Sequence, residues 1–191
     1  MYYNSLKTIV LVALATCFSL MSGYAQDTKE PEFLGDIYFI QTDGTYVKMD
    51  REVCSIKTKT NRVPGLSILN SVKSFLSIKG PEAKIRITKD NQPIQFIVKC
   101  KDNSLSPETL ISVVQFEKKK KERRFNMGKT SILGGSEYGI TESLPYEAEK
   151  YGESSYKITI TGLEPGEYGI MVSEQDVEPG SYIAYRCFGI D

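Results

Sequence analysis

Two short runs in this chain carry the residue types of a reactive site. Ser154-Ser155-Tyr156-Lys157 has the S-x-x-K order of a Ser–Lys nucleophile, and Gly128-Lys129-Thr130 has the ending of a phosphate loop. Neither has the setting its chemistry needs. A Ser–Lys pair stands one turn apart on a helix, whereas Lys157 falls in a predicted strand and faces away from Ser154; no S-D-N or K-T-G follows, the nearest being Lys129-Thr130-Ser131. The position five before Gly128 is Arg123, so the glycine that opens a nest of phosphate-binding amides is missing. The chain has no histidine, which excludes Ser-His-Asp and Cys-His machinery and removes the commonest metal ligand. Glu142, Glu147, Glu149 and Glu153 offer carboxylates for a glycosidase-like pair, but the chain lacks tryptophan, the usual sugar platform. Glu174, Asp176 and Glu178 lie on a turn without the D-x-[DN]-x-[DN]-G order of a calcium loop. No catalytic residue, cofactor or metal ligand is expected, and the chain reads as a non-enzyme.

Two surface features remain as binding candidates. Lys118, Lys119, Lys120, Lys121, Arg123 and Arg124 place six cations against two acids over 117–124, in a chain whose 24 basic and 24 acidic residues cancel. On a hairpin tip such a run could engage phosphate, sulfated glycan or lipid headgroups through salt-sensitive contacts; it also serves to keep strand ends from pairing edge to edge. No stacking aromatics interleave with the cations and the overall charge is balanced, so nucleic acid is not an expected partner. The second candidate is the group Tyr138, Tyr146, Tyr151 and Tyr156, with Tyr146 and Tyr151 expected to present aromatic contact area from a long loop spanning Tyr138–Gly152.

The first 25 residues set the compartment. Lys7 precedes an uncharged stretch with an apolar centre at Ile9–Leu14, and Gly23-Tyr24-Ala25 ends it with small residues at the −3 and −1 positions of a cut before Gln26. This is the layout of a secretory signal peptide. A lipoprotein attached through Cys17 is the alternative, although Thr16 stands where Gly, Ala or Ser is usual. Export places the protein in the periplasm, on the outer-membrane surface or outside the cell. After Gln26 the longest uncharged run, Val63–Val72, is far shorter than the ~20 residues a spanning helix needs, so the mature chain is expected to have no transmembrane segment. Cys54, Cys100 and Cys187 are too far apart in sequence for a CxxC site and read as small apolar side chains on inward strand faces, with pairing left open.

The elements that must position these residues read as strands. Beyond Ala25, Ile, Val, Thr, Tyr and Phe abound while alanine occurs only at 83, 148 and 184, a balance that suits pleated surfaces rather than helices. Asp36–Gln41 and Thr45–Met49 flank Asp43-Gly44 as a hairpin. Cys54, Ile56 and Thr58 alternate with polar residues as a half-buried strand should. Ile85–Thr88, Ile94–Lys99, Leu110–Glu117, Arg123–Met127, Ser155–Thr161, Glu167–Ser173 and Tyr182–Phe188 complete the series, and Ser67–Leu76 is ambiguous between helix and strand. Residues 26–32 are expected to form a flexible N-terminus and residues 33–191 a single domain.

Leu163-Glu164-Pro165-Gly166-Glu167-Tyr168 resembles the tyrosine corner of Greek-key sandwiches, in which the phenol hydroxyl bonds to backbone a few residues upstream. It is similar as well to the L-x-P-G-x-Y turn of transthyretin-like and collagen-adhesin B-type modules. More widely, the opening "IYFI…DGTYVKM" and closing "LEPGEYGI…YRCFGID" segments resemble a group of uncharacterised exported Gram-negative bacterial proteins. The resemblance implies a single antiparallel Greek-key β-sandwich, Ig-like or transthyretin-like, with Leu163, Pro165, Gly166 and Tyr168 as structural residues, and it implies no activity. The expected function is a binding or surface-interaction module, with a protein or glycan of the cell envelope as partner. The alternatives are a structural subunit or assembly partner, with the closing strand Tyr182–Ile190 as the segment for donation, and then an enzyme of unrecognised type. N-terminal sequencing of the secreted protein checks the export reading: the mature chain should begin at Gln26, and an intact Met1 would overturn it.

Overall fold

The computed structural model describes residues 29–61, 71–131, 135–138, 143–173 and 183–191. The proposed signal peptide, Cys17, Gln26, Glu142, Glu174, Asp176 and Glu178 lie outside them. The described chain is all-β, with strands β1 (Ile37–Ile40), β2 (Tyr46–Lys48), β3 (Arg51–Val53), β4 (Ser55–Asn61), β5 (Ser71–Lys79), β6 (Ile85–Ile87), β7 (Ile94–Lys99), β8 (Ile111–Lys118), β9 (Glu122–Ser131), β10 (Gly135–Tyr138), β11 (Glu147–Tyr151), β12 (Ser155–Ile160), β13 (Gly166–Val172) and β14 (Ala184–Ile190). One helical turn, Pro107–Leu110, precedes β8.

One sheet has the order β11-β12-β7-β1-β2. Its opening hairpin forms where Asp43-Gly44 supplies the turn: Gly44 takes φ +81°, a value that suits glycine, and Phe39 stands opposite Val47. The larger sheet runs β3-β14-β13-β8-β9-β5-β4, with β10 added on β9 and β6 lying beside β14. It does not stay flat. β8 and β9 pair only at Glu117–Arg124 and Lys118–Arg123, next to the tip, and beyond that point they part. The β4-β5-β9 portion therefore folds back across the β8-β13-β14 portion as a half-barrel.

Two cores result. Ile37, Phe96, Val98 and Ile158 of the first sheet meet Ile111, Val113, Ile170 and Phe188 of the second, with Phe96 and Phe188 rings 5.0 Å apart. On the other side of the same strands, Val114, Phe116, Tyr185 and Cys187 meet Leu76, Ile78 and Phe125. Gly169 on β13 is what lets Phe116 and Tyr185 close over the sheet at 5.3 Å, edge to face. Around the turn before β13, Leu163 is buried in the first core and the Tyr168 hydroxyl donates to the Glu164 carbonyl at 2.7 Å.

Several expectations need correction. Tyr138–Gly152 is not a long loop: Tyr138 ends β10 and Glu147–Tyr151 is a strand at the edge of the first sheet, exposed over Glu147–Lys150 and so without an apolar alternation to betray it. β4 keeps the alternation but not the burial; Cys54 is buried just before it, while Ile56 is 61% exposed because β4 overhangs the second core. The ambiguous stretch becomes β5 from Ser71 onward. The pairing is not wholly antiparallel, since β6 runs parallel to β14. β6 and β7 belong to different sheets, so the largely exposed segment between them bridges the two sheets. The closing strand is not available for donation: β13 covers one of its edges and β3 and β6 the other.

Cys54, Cys100 and Cys187 are free, buried thiols. Burial pushes Cys54 up to about 12 and Cys100 to about 11, which leaves both protonated and inert at neutral pH. Ahead of β1, Glu30 accepts from Lys99 Nζ at 2.6 Å and from the Ser154 amide at 3.2 Å.

The packing over Gly169 yields a prediction. A methyl there would stand 2.6 Å from Phe116 Cε2 and 3.1 Å from Tyr185 Cδ1. Gly169→Ala should lower unfolding free energy by about 1–3 kcal/mol, the scale of overpacking in a filled core, and Tyr168→Phe by about 1 kcal/mol. Urea denaturation followed by circular dichroism measures both.

Candidate anion-binding face

The tip cations do not act as one group. Arg123 is 1% exposed and points into the second core, where its guanidinium pairs with Glu52 and Nε donates to the Gly80 carbonyl at 3.2 Å. Lys118 pairs with Glu82 at 2.6 Å, and Lys119 with Glu117. Arg124 turns onto the outer face of β9, pairs with Glu122 and lies over the Phe75 ring, 4.5 Å from its centroid. Lys120 and Lys121 are exposed and carry no ion pair among the described residues. The contiguous run is thus split between a buried strut, two locally neutralised lysines and a contribution to a sheet face.

That face holds what the sequence reading missed. Register sets Ser55, Lys57 and Lys59 of β4 on the same side as Ser77, Phe75 and Lys73 of β5, and these beside Arg124 and Asn126 of β9. The opposite side of the same strands carries Leu76, Ile78 and Phe125 into the second core. Lys57, Lys59, Lys73, Lys79 and Arg124 therefore share an outward surface on which Glu122 is the one carboxylate among the residues with described side chains, and by register Glu137 of β10 stands beyond them, opposite Lys129. Hydrogen bonds from Lys57, Ser77 and Arg124 hold the Glu122 carboxyl down at about 2, so it stays ionised and fixes two of the cations upright. Beside it a shallow depression of about 540 Å³ is bordered by Ser55, Lys57, Ser77, Lys79 and Lys121.

Two of the aromatic candidates make structural hydrogen bonds. Tyr146 is half-buried and its hydroxyl donates to the Ile111 carbonyl at 2.8 Å; Tyr156 is buried and donates to the Leu105 carbonyl. Tyr151 is half-buried, and burial pushes its hydroxyl up to about 12. Of Tyr138, only the strand position is described.

Two of the motifs weighed for catalysis lie where their chemistry has no geometry. Lys157 on β12 pairs with Glu149 at 3.0 Å rather than with Ser154. Gly128-Lys129-Thr130 lies within β9, paired on both sides, where no loop can wrap a phosphate. Among the described residues no three His, Cys, Asp or Glu side chains gather as a metal site, and no helix is long and apolar enough to cross a membrane. No family model, curated protein or solved structure matches the chain.

The division of the tip is testable. Arg123→Ala strands Glu52 beside an apolar core and should cost about 3–5 kcal/mol, the scale for breaking a buried pair. Lys120→Ser with Lys121→Ser should stay within about 0.5 kcal/mol. Thermal and urea unfolding of both variants separates a strut from a solvated tip.

Proposed function

We propose that this is an exported, non-catalytic β module of the cell envelope whose working surface is the basic outer face of β4, β5 and β9. The observation that carries the reading is the segregation of charge. A chain with equal numbers of acids and bases sets five cations and one carboxylate on a single sheet face, among the residues with described side chains. Charge gathered in this way raises the local concentration of anions and steers them to the surface. The signal-like first 25 residues support export. The bond from Tyr168 to Glu164, at the turn after Leu163, supports reading the two facing sheets as an Ig-like or transthyretin-like Greek-key sandwich.

Retention of the full chain on a sulfated matrix tests the function. The protein should bind at low ionic strength and elute as salt shortens the screening length from ~10 Å at 0.1 M toward ~3 Å at 1 M. Failure to bind any polyanion at low salt would overturn the reading.

A further inference from the structure

The outer face carries a row of lysines that the fold itself does not need. Lys59 on β4 stands directly opposite Lys73 on β5, and Lys73 directly opposite Lys129 on β9. Like charges in directly opposed positions destabilise a sheet pair. No carboxylate stands beside the Lys59–Lys73 pair: their neighbours along and across β4 and β5 are Lys57, Asn61, Ser71 and Phe75, Glu122 is already held by Lys57, Ser77 and Arg124, and the next acid in register, Glu137 of β10, stands opposite Lys129. Elsewhere this chain compensates its cations closely, with Lys118 on Glu82, Lys84 on Asp50 and Lys89 on Glu164. An uncompensated pair of opposed lysines, Lys59 and Lys73, is what an external polyanion would fill.

We infer that this pair anchors the docking path of a linear acidic polysaccharide, laid across β4 and β5 over Lys59 and Lys73, with Lys57, Lys79 and Arg124 alongside. The inference rests on the binding reading above and names its ligand class. Strands lie ~4.8 Å apart and same-face residues ~6.7 Å apart along each strand, so the cations form a lattice on which a polymer charged at every sugar, or every other sugar, meets one after another. Ser55 stands on the same side and borders the depression; a hydroxyl of this kind suits sugar hydroxyls.

What the face lacks sets the other polyanions apart. Phe75, its one aromatic among the residues with described side chains, is buried under the Arg124 guanidinium and cannot stack on a base, the contact single-stranded nucleic acid uses. The exposed apolar side chains of β4 and β5, Ile56 and Val72, belong to the opposite side, Ile56 being paired with Leu76, and the docking side has a single one, Val53, at the rim of the depression, among the residues with described side chains. A surface that enters a lipid interface carries apolar side chains on the docking side.

The test uses the full chain with dextran sulfate and polygalacturonate as probes, and neutral dextran, single-stranded DNA and phosphatidylglycerol vesicles as comparisons. Both acidic glycans should bind, neutral dextran should not, and DNA and vesicles should bind at least tenfold more weakly. Lys59→Ser with Lys73→Ser should weaken glycan binding at least tenfold, whereas Lys118→Ser with Lys119→Ser should change it less than twofold. Lys59→Glu adds a readout independent of binding: it should raise the melting temperature, by placing opposite charges across β4 and β5, while abolishing glycan binding. Wild-type affinity in the Lys59/Lys73 variant, or tighter binding to DNA or vesicles than to the glycans, would overturn the inference and leave the polyanion reading standing. No binding of any polyanion by the wild-type chain would overturn both.

Discussion

The strands β8, β13 and β14 are covered on both faces, and the rest of the molecule follows from that burial. A strand with one wet face can alternate apolar and polar residues; here both sets must be apolar, small or paired. Ile111 and Val113 serve one core while Val114 and Phe116 serve the other. Tyr185 and Cys187 face β5 and β9 while Phe188 and Ile190 face the first sheet. Gly169 gives up its side chain to the rings of Phe116 and Tyr185. A sheet so enclosed needs a second layer, and the chain supplies it by continuing β8 through the tip into β9 and folding back.

Folding back brings polar groups into apolar surroundings, and each is met by a specific partner. Glu167 on β13 is 1% exposed; it accepts from the Ala83 amide at 2.7 Å and from Arg86, which also reaches Asp191. The Arg86 guanidinium crosses β14 at Gly189, where a methyl would lie 1.8 Å from Nη1. Arg123 is handled in the same way by Glu52 and the Gly80 carbonyl. Buried pairs of this kind contribute little net stability compared with apolar replacements, yet breaking one leaves an uncompensated charge. Their effect is to fix register: Arg86 ties β6 to β13 and the chain end, and Arg123 ties β9 to β3.

How far the sequence discloses this depends on whether the determining contact is local. The β1–β2 hairpin is legible because Asp43-Gly44 and the strands it joins lie within a few residues. The turn into β13 is legible for the same reason, since Tyr168 bonds only four residues back. β11 is illegible because an exposed edge strand has no apolar period. The alternation in β4 misleads because a period of two says which residues share a side, not whether a second layer reaches that side. The run Lys118–Arg124 is conspicuous in sequence, yet its members diverge in space, because alternation within β9 sends Arg123 inward and Arg124 outward.

The same alternation accounts for where the charge collects. One side of β4, β5 and β9 is committed to the second core, so every cation whose register falls on the other side is delivered to one surface, whatever its distance along the chain. The acids that could have balanced that surface are placed elsewhere: Glu52 on Arg123, Glu82 on Lys118, Glu117 on Lys119. Negative residues thus neutralise the tip, which the sequence marks as the basic site, and leave the sheet face positive. In this fold Arg123 holds the second layer in place and Lys118 and Lys119 are neutralised beside the turn, while cations scattered over β4, β5 and β9 make the electropositive surface.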